Sequence, residues 1–131
     1  MNEINHQSTV PREELDSIIH LYSKKDFEQA IKKIDFINQQ YPNVPFIYNI
    51  AGACYIALGN VKVAVKMFKF AIQIKPDYAE AHKNLGITFA NQKKYDNSIK
   101  SLLVAISLNP SYFDAYYYLG NTYKDLTQFD N

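Results

Sequence analysis

The residues able to do chemistry are few, and their spacing does not suit it. Cys54 is the only cysteine, which rules out an intrachain disulfide and a paired thiolate site. It falls between Ala53 and Tyr55 inside a predicted helix and reads as a buried structural thiol. His6, His20 and His82 form no pair at the spacing that sets two imidazoles on one helix face for zinc. Glu13 and Glu14 sit in the first turn of a predicted helix, where carboxylates offset the positive end of the dipole. That role accounts for them better than an acid–base dyad does. The glycines are isolated and form no phosphate-cradling loop, and Lys93-Lys94 reads as a solvated turn. The expectation is a chain with no catalytic centre, no cofactor and no metal.

The elements that carry these residues repeat. Pro42, Pro76 and Pro110 stand thirty-four residues apart, the length of one helix-turn-helix unit in a stacked array. Other columns keep the same beat: Ile34, Phe68 and Leu102; Ile37, Ala71 and Ala105; Ala30, Ala64 and Ser98; Leu21, Tyr55 and Phe89; Ile18, Gly52 and Gly86. A fourth unit starts in step, with Leu119, Gly120 and Tyr123 matching Leu85, Gly86 and Phe89.

The stretches Tyr48-Asn49-Ile50-Ala51-Gly52-Ala53-Cys54-Tyr55 and Ala64-Val65-Lys66-Met67-Phe68-Lys69-Phe70-Ala71, closed by Pro76, resemble a tetratricopeptide repeat. The resemblance covers residues 11–131: units 11–44, 45–78 and 79–112, and a partial unit 113–131. The second unit fits best. The third has His82 in place of a large apolar residue, and the first has Ile18 where the family prefers a small one. The implied fold is all-α, a right-handed α-solenoid of antiparallel helix pairs.

Within each unit the physics is local. Helix A of the second unit is predicted over about residues 45–58, with Tyr48, Ala51, Tyr55 and Leu58 on one stripe. Glycine in mid-helix costs about 1 kcal/mol relative to alanine. Close approach of helix B is the expected compensation at Gly52 and Gly86, with Ala64 and Ser98 as the matching small residues. Gly59-Asn60 suits a left-handed helix end. Pro76 and Pro110 stop the B helices.

A chain of 131 residues fits one domain, and a net charge of +1 argues against a nucleic-acid or anionic-membrane surface. No apolar run is long enough to span a bilayer, and Met1–Val10 is polar, unlike a secretion signal. A soluble cytoplasmic protein is the expectation. Residues 1–10 read as a flexible lead-in, with Pro11 opening the first helix. The fourth unit stops where its helix B should begin, after Phe129. That reads as a segment of a longer protein, leaving Tyr116, Leu119 and Tyr123 uncovered or buried in a homodimer through that end.

In the resembled family the A helices line a concave groove. Carried over residue by residue, the groove takes Phe46, Asn49 and Ile50 from the second unit, Lys83, Asn84 and Ile87 from the third, and Tyr117, Tyr118 and Asn121 from the fourth. Leu15, Ile19 and Ile56 extend an apolar strip. Part of that strip, Ile19, Ala53 and Ile87 above all, serves equally well as packing between neighbouring A helices. A groove with apolar pockets and amide groups suits an extended segment or an amphipathic helix of a partner protein; Met1–Val10 of the same chain is another occupant.

The chaperone-clamp subclass, which grips a C-terminal carboxylate with lysine and asparagine, does not fit. Its positions hold Leu15, Ile19, Ile50, Glu80 and Asn84, and a shift by one unit brings in Asp114 and Tyr118. The asparagine ladder of some glycosyltransferases keeps only Asn84. The expected function is therefore a non-catalytic interaction scaffold. The alternatives are the targeting arm of a larger glycosyl- or sulfotransferase, and a self-assembly module.

Overall fold

The computed structural model describes the backbone of residues 9–130 and the side chains of residues 9–128. Among the described residues seven α-helices follow one another: α1 (Arg12–Ser23), α2 (Phe27–Gln40), α3 (Pro45–Ala57), α4 (Val61–Ile74), α5 (Ala79–Asn91), α6 (Tyr95–Leu108) and α7 (Phe113–Asp130). No strand occurs among the described residues. The chain divides into two compact units, one reaching Ile74 with α1–α4 and one starting at Lys75 with α5–α7. Of the expected lead-in, residues 1–8 lie outside the described residues. Val10 belongs to the first unit's core and is 7% exposed.

Local chemistry sets the helix ends. The A-to-B turns after α1, α3 and α5 are the same motif three times. Lys25, Gly59 and Lys93 adopt positive φ (64°, 82° and 64°) at thirty-four-residue intervals. After each, the next amide reaches back across the turn: Asp26 to the Leu21 carbonyl, Asn60 to Tyr55 and Lys94 to Phe89, at 2.9, 2.8 and 2.9 Å. These bonds satisfy carbonyls left over at the helix end, the Schellman arrangement. Glycine supplies the left-handed residue only once. The two lysines adopt it against a backbone penalty on the order of 1 kcal/mol, offset by the bonds that close the turn. Asn60 then caps α4, its Oδ1 accepting from the Val63 amide at 3.4 Å.

The first unit's core gathers Ile18, Ala30, Ile34, Ile37, Ile47, Ala51 and Cys54. Leu102, Ala105 and Ala115 form a second core in the other unit, with Tyr118 and Leu119 packed on it. The contact that sets the spacing within pairs lies at the mid-helix glycines. A methyl built on Gly52 would overlap the Phe68 ring, with Cδ1 at 2.7 Å; one on Gly86 would meet Leu102 Cγ at 2.7 Å and the Ser98 carbonyl at 3.2 Å. Close approach is thus confirmed, but it is the bulky residue of helix B, more than Ala64 or Ser98, that fills the notch. Where Ile18 replaces the glycine, α1 and α2 meet less extensively than α3 with α4 or α5 with α6.

The fourth unit differs from its predecessors. The turn position one interval beyond Lys93 is Thr127, a β-branched residue that resists positive φ. The backbone stays helical there, and α7 runs 18 residues instead of the 12 or 13 of α1, α3 and α5. Thr127 donates its hydroxyl proton to the Tyr123 carbonyl at 2.9 Å. Tyr116 and Tyr123 are each 46% exposed, whereas Leu119 is partly covered by the second unit's core.

Gly52→Leu should lower the unfolding free energy by about 3 kcal/mol, the upper part of the range for overpacking, read as a fall in urea midpoint. An unchanged midpoint would remove the Phe68 contact as the reason for glycine at this position.

Candidate functional site

The chemically capable residues occupy structural posts. Cys54 is fully buried. Burial pushes its thiol up from the usual 9.0 to about 11, the opposite of what a nucleophilic cysteine needs. Its counterparts one and two intervals on are Thr88 and Thr122, both buried as well. Thr88 donates to the Asn84 carbonyl and Thr122 to the Tyr118 carbonyl, each at 2.8 Å. With its only proton spent there, the Thr122 hydroxyl accepts from Ser98 Oγ at 3.3 Å, closing a buried polar contact between α6 and α7. In α3, α5 and α7 this column is thus filled by a small side chain, thiol or hydroxyl, whereas in α1 it holds the exposed His20.

Glu14 pairs with Lys33 Nζ at 3.2 Å, tying α1 to α2, and Arg12 meets Asp16 at 3.5 Å on the exposed side of α1. The His82 ring donates from Nε2 to the Pro76 carbonyl at 2.8 Å. The residue that departs from the apolar pattern therefore braces α5 against the turn that precedes it. No group of three or more His, Cys, Asp or Glu side chains able to hold a metal ion occurs among the described residues. No described helix is long and apolar enough to cross a membrane.

The nine expected groove residues fall into the two units. In the first, Phe46 and Ile50 are half-buried and pack against the core. Asn49 is only 3% exposed, so its amide lies inside the unit and presents almost no surface to a ligand. The periodic pattern missed this because α3 is apolar over most of its circumference and has partners on more than one side. On α1 the first unit holds out Ile19 and Tyr22, 43% and 37% exposed.

In the second unit, Lys83, Asn84 and Ile87 lie half-buried on α5. Lys83 Nζ sits 5.2 Å from the centre of the Tyr112 ring, just ahead of α7, a distance at which an ammonium is attracted to the π face. On α7, Tyr118 is half-buried against the core while Tyr117 is 66% exposed. The two rings meet edge to face at 5.3 Å and 82°, and Asn121 is exposed one turn further on. Phe113, 79% exposed at the start of α7, was not among the expected residues. Its place at a helix start gave no periodic signal.

The family model for the TPR repeat matches residues 52–93 and 88–126, more than half of the chain, so this protein belongs to the tetratricopeptide-repeat family. Its helices are the antiparallel pairs of that all-α solenoid fold. The fold agrees with solved structures. The Sgt2 TPR domain from Aspergillus fumigatus superposes with a TM-score of 0.88 at 16% identity, over 95% of this chain and 85% of that one. The first TPR of Spaghetti (RPAP3), bound to the HSP90 peptide SRMEEVD, gives 0.81 at 18% identity, over 86% and 89%. MamA gives 0.75 at 29% identity, over 85% of this chain and 65% of that one. No curated protein sequence matches.

The raised thiol has a pH signature. Between pH 9.0 and about 11 the unfolded chain releases the Cys54 proton while the native chain keeps it. The native state then binds more protons, so stability falls as pH rises through this window and is unaffected by the thiol below it. Native protein at neutral pH should react with a thiol reagent only as fast as it unfolds. Rapid labelling without unfolding would contradict the buried assignment.

Proposed function

We propose that this protein is a non-catalytic interaction scaffold whose A-helix surfaces take up a segment of a partner protein, extended or helical. The observation that carries the reading is Tyr117, a large aromatic side chain left 66% exposed yet steadied by its edge-to-face contact with Tyr118. A pre-positioned aromatic loses little rotamer freedom on binding, which is why such residues dominate interfaces. Lys83, braced on Tyr112, adds a cation on α5 of the same unit, and Asn121 adds an exposed amide on α7. The first unit contributes a surface of its own, with Ile19 and Tyr22 outermost and Phe46 and Ile50 half-buried.

Family membership and the peptide-bound Spaghetti (RPAP3) neighbour support a protein ligand. The chemistry favours a different ligand from that neighbour's acid-ended peptide. Asp114 is exposed on α7, and Tyr118 stands where a carboxylate clamp would place a cation. A carboxyl terminus beside Asp114 would be repelled, so the preferred segment is apolar or aromatic, with at most one acid aimed at Lys83.

Panning a random peptide library against the whole chain should yield ligands of this composition. Tyr117→Ala should weaken them about tenfold, within the range of an interface anchor, and Lys83→Ala should weaken chiefly those with an acidic residue. Ligands held equally by both variants would move the binding surface off α5 and α7.

A further inference from the structure

The solvent side of α4 carries charge of one sign. Lys62, Lys66 and Lys69 lie along it at i, i+4 and i+7, all exposed, and the helix contains no aspartate or glutamate. That spacing sets them on one narrow stripe, with Phe70, 46% exposed, at its edge. The same columns are exposed in all three B helices, α2, α4 and α6, so solvent reaches them in every repeat, whichever helix stands next in the chain. Their contents differ. In α2 they hold Glu28, Lys32 and Asp35, and in α6 Asp96, Lys100 and Leu103. Mixed charges serve to keep a helix solvated; only α4 is uniformly basic.

The uniform stripe works against the helix that bears it. Lys62 occupies the first turn, where the positive end of the helix dipole disfavours a cation; α2 and α6 place Glu28 and Asp96 there. Lys62 and Lys66, and again Lys66 and Lys69, are like-charge neighbours at helical spacing, which weakens a helix. Phe70 leans on the Tyr48 ring at 5.6 Å yet leaves almost half its surface in water. The fold gains nothing from these choices, and a ligand of opposite charge would.

We propose that the solvent side of α4 docks an acidic helical segment of a partner protein, its carboxylates at i, i+4 and i+7 facing the three lysines and an apolar residue covering Phe70. Charge complementarity sets the sign of the partner. The spacing sets its form, since another helix repeats its side chains with the same rise of about 1.5 Å per residue. A nucleic acid or an anionic membrane calls for a broader basic surface, whereas this stripe is one helix wide in a chain whose net charge is +1. The acidic ligand also differs from the apolar segment expected on α5 and α7, so either assignment can fail alone.

The probe is a labelled alanine-based helical peptide with glutamates at i, i+4 and i+7 and a leucine flanking the triplet on each side. It is titrated against the whole protein by fluorescence anisotropy at low ionic strength. Saturable binding is expected, weakened by added salt and weakened about tenfold or more by Lys62→Glu combined with Lys66→Glu. Lys62→Glu alone should weaken the complex while holding or raising the urea midpoint, because it restores an acid to the first turn and pairs it with Lys66. Binding and stability moving in opposite directions separates docking from a structural role. Should the double variant misfold, Lys66→Ala serves in its place, with a several-fold loss expected. Four results would overturn the proposal: no saturable binding; equal binding of a scrambled peptide of the same composition; tighter binding of an oligothymidylate or a phosphatidylserine vesicle, which would assign the stripe to a polyanion; or a lower urea midpoint for Lys62→Glu, which would make the lysine a requirement of the fold.

Discussion

A bulky side chain of one helix seated on a glycine of its partner is the contact on which the rest depends. Phe68 over Gly52 and Leu102 over Gly86 leave no room for even a methyl group, so in both pairs the side chain of one helix rests directly on the backbone of the other. Mid-helix glycine opposes helix formation by about 1 kcal/mol, and dense packing of an aromatic or leucine side chain outweighs it. The pair with Ile18 in place of glycine is the exception that gives the rule content. It keeps Ile18 and Ile34 buried but meets less extensively.

Close helix pairs require short turns, and the turns have one solution. A left-handed residue followed by a back-reaching amide reverses the chain at Lys25, Gly59 and Lys93. Where the same position holds Thr127 the reversal does not occur, and α7 continues as helix. The geometry of the pairs also explains why reactive residue types have inert surroundings. Cys54 shares its column with Thr88 and Thr122, all three buried away from water, whereas the same place in the first repeat holds the exposed His20.

Sequence and structure agree most closely where the signal is repeated. The helices α3 and α4, the glycine notches and the left-handed Gly59 were all legible, since each rests on residue types with strong local preferences. The left-handed Lys25 and Lys93 were not, because lysine carries no such preference and only the interval from Gly59 points to them. His82 looked like a defect in an apolar column, yet its ring bonds the Pro76 carbonyl, a contact between residues six apart that no periodicity encodes. The candidate binding residues were legible as positions on helices and not as surfaces. Asn49 and Tyr117 occupy the same place in their repeats, yet one is 3% exposed and the other 66%.

The amino-acid sequence by itself determined the seven helices' pairing rhythm and family, because a thirty-four-residue interval samples the same local preferences several times over and so averages away single departures such as Ile18 or His82. Only the tertiary structure decided which side chains meet solvent. Exposure depends on how many neighbours each helix has: α3 is enclosed where it carries Asn49, whereas α7 is covered along one side, leaving Tyr116, Tyr117 and Tyr123 outside. Burial belongs to the assembly of helices, and no single repeat carries it in its letters.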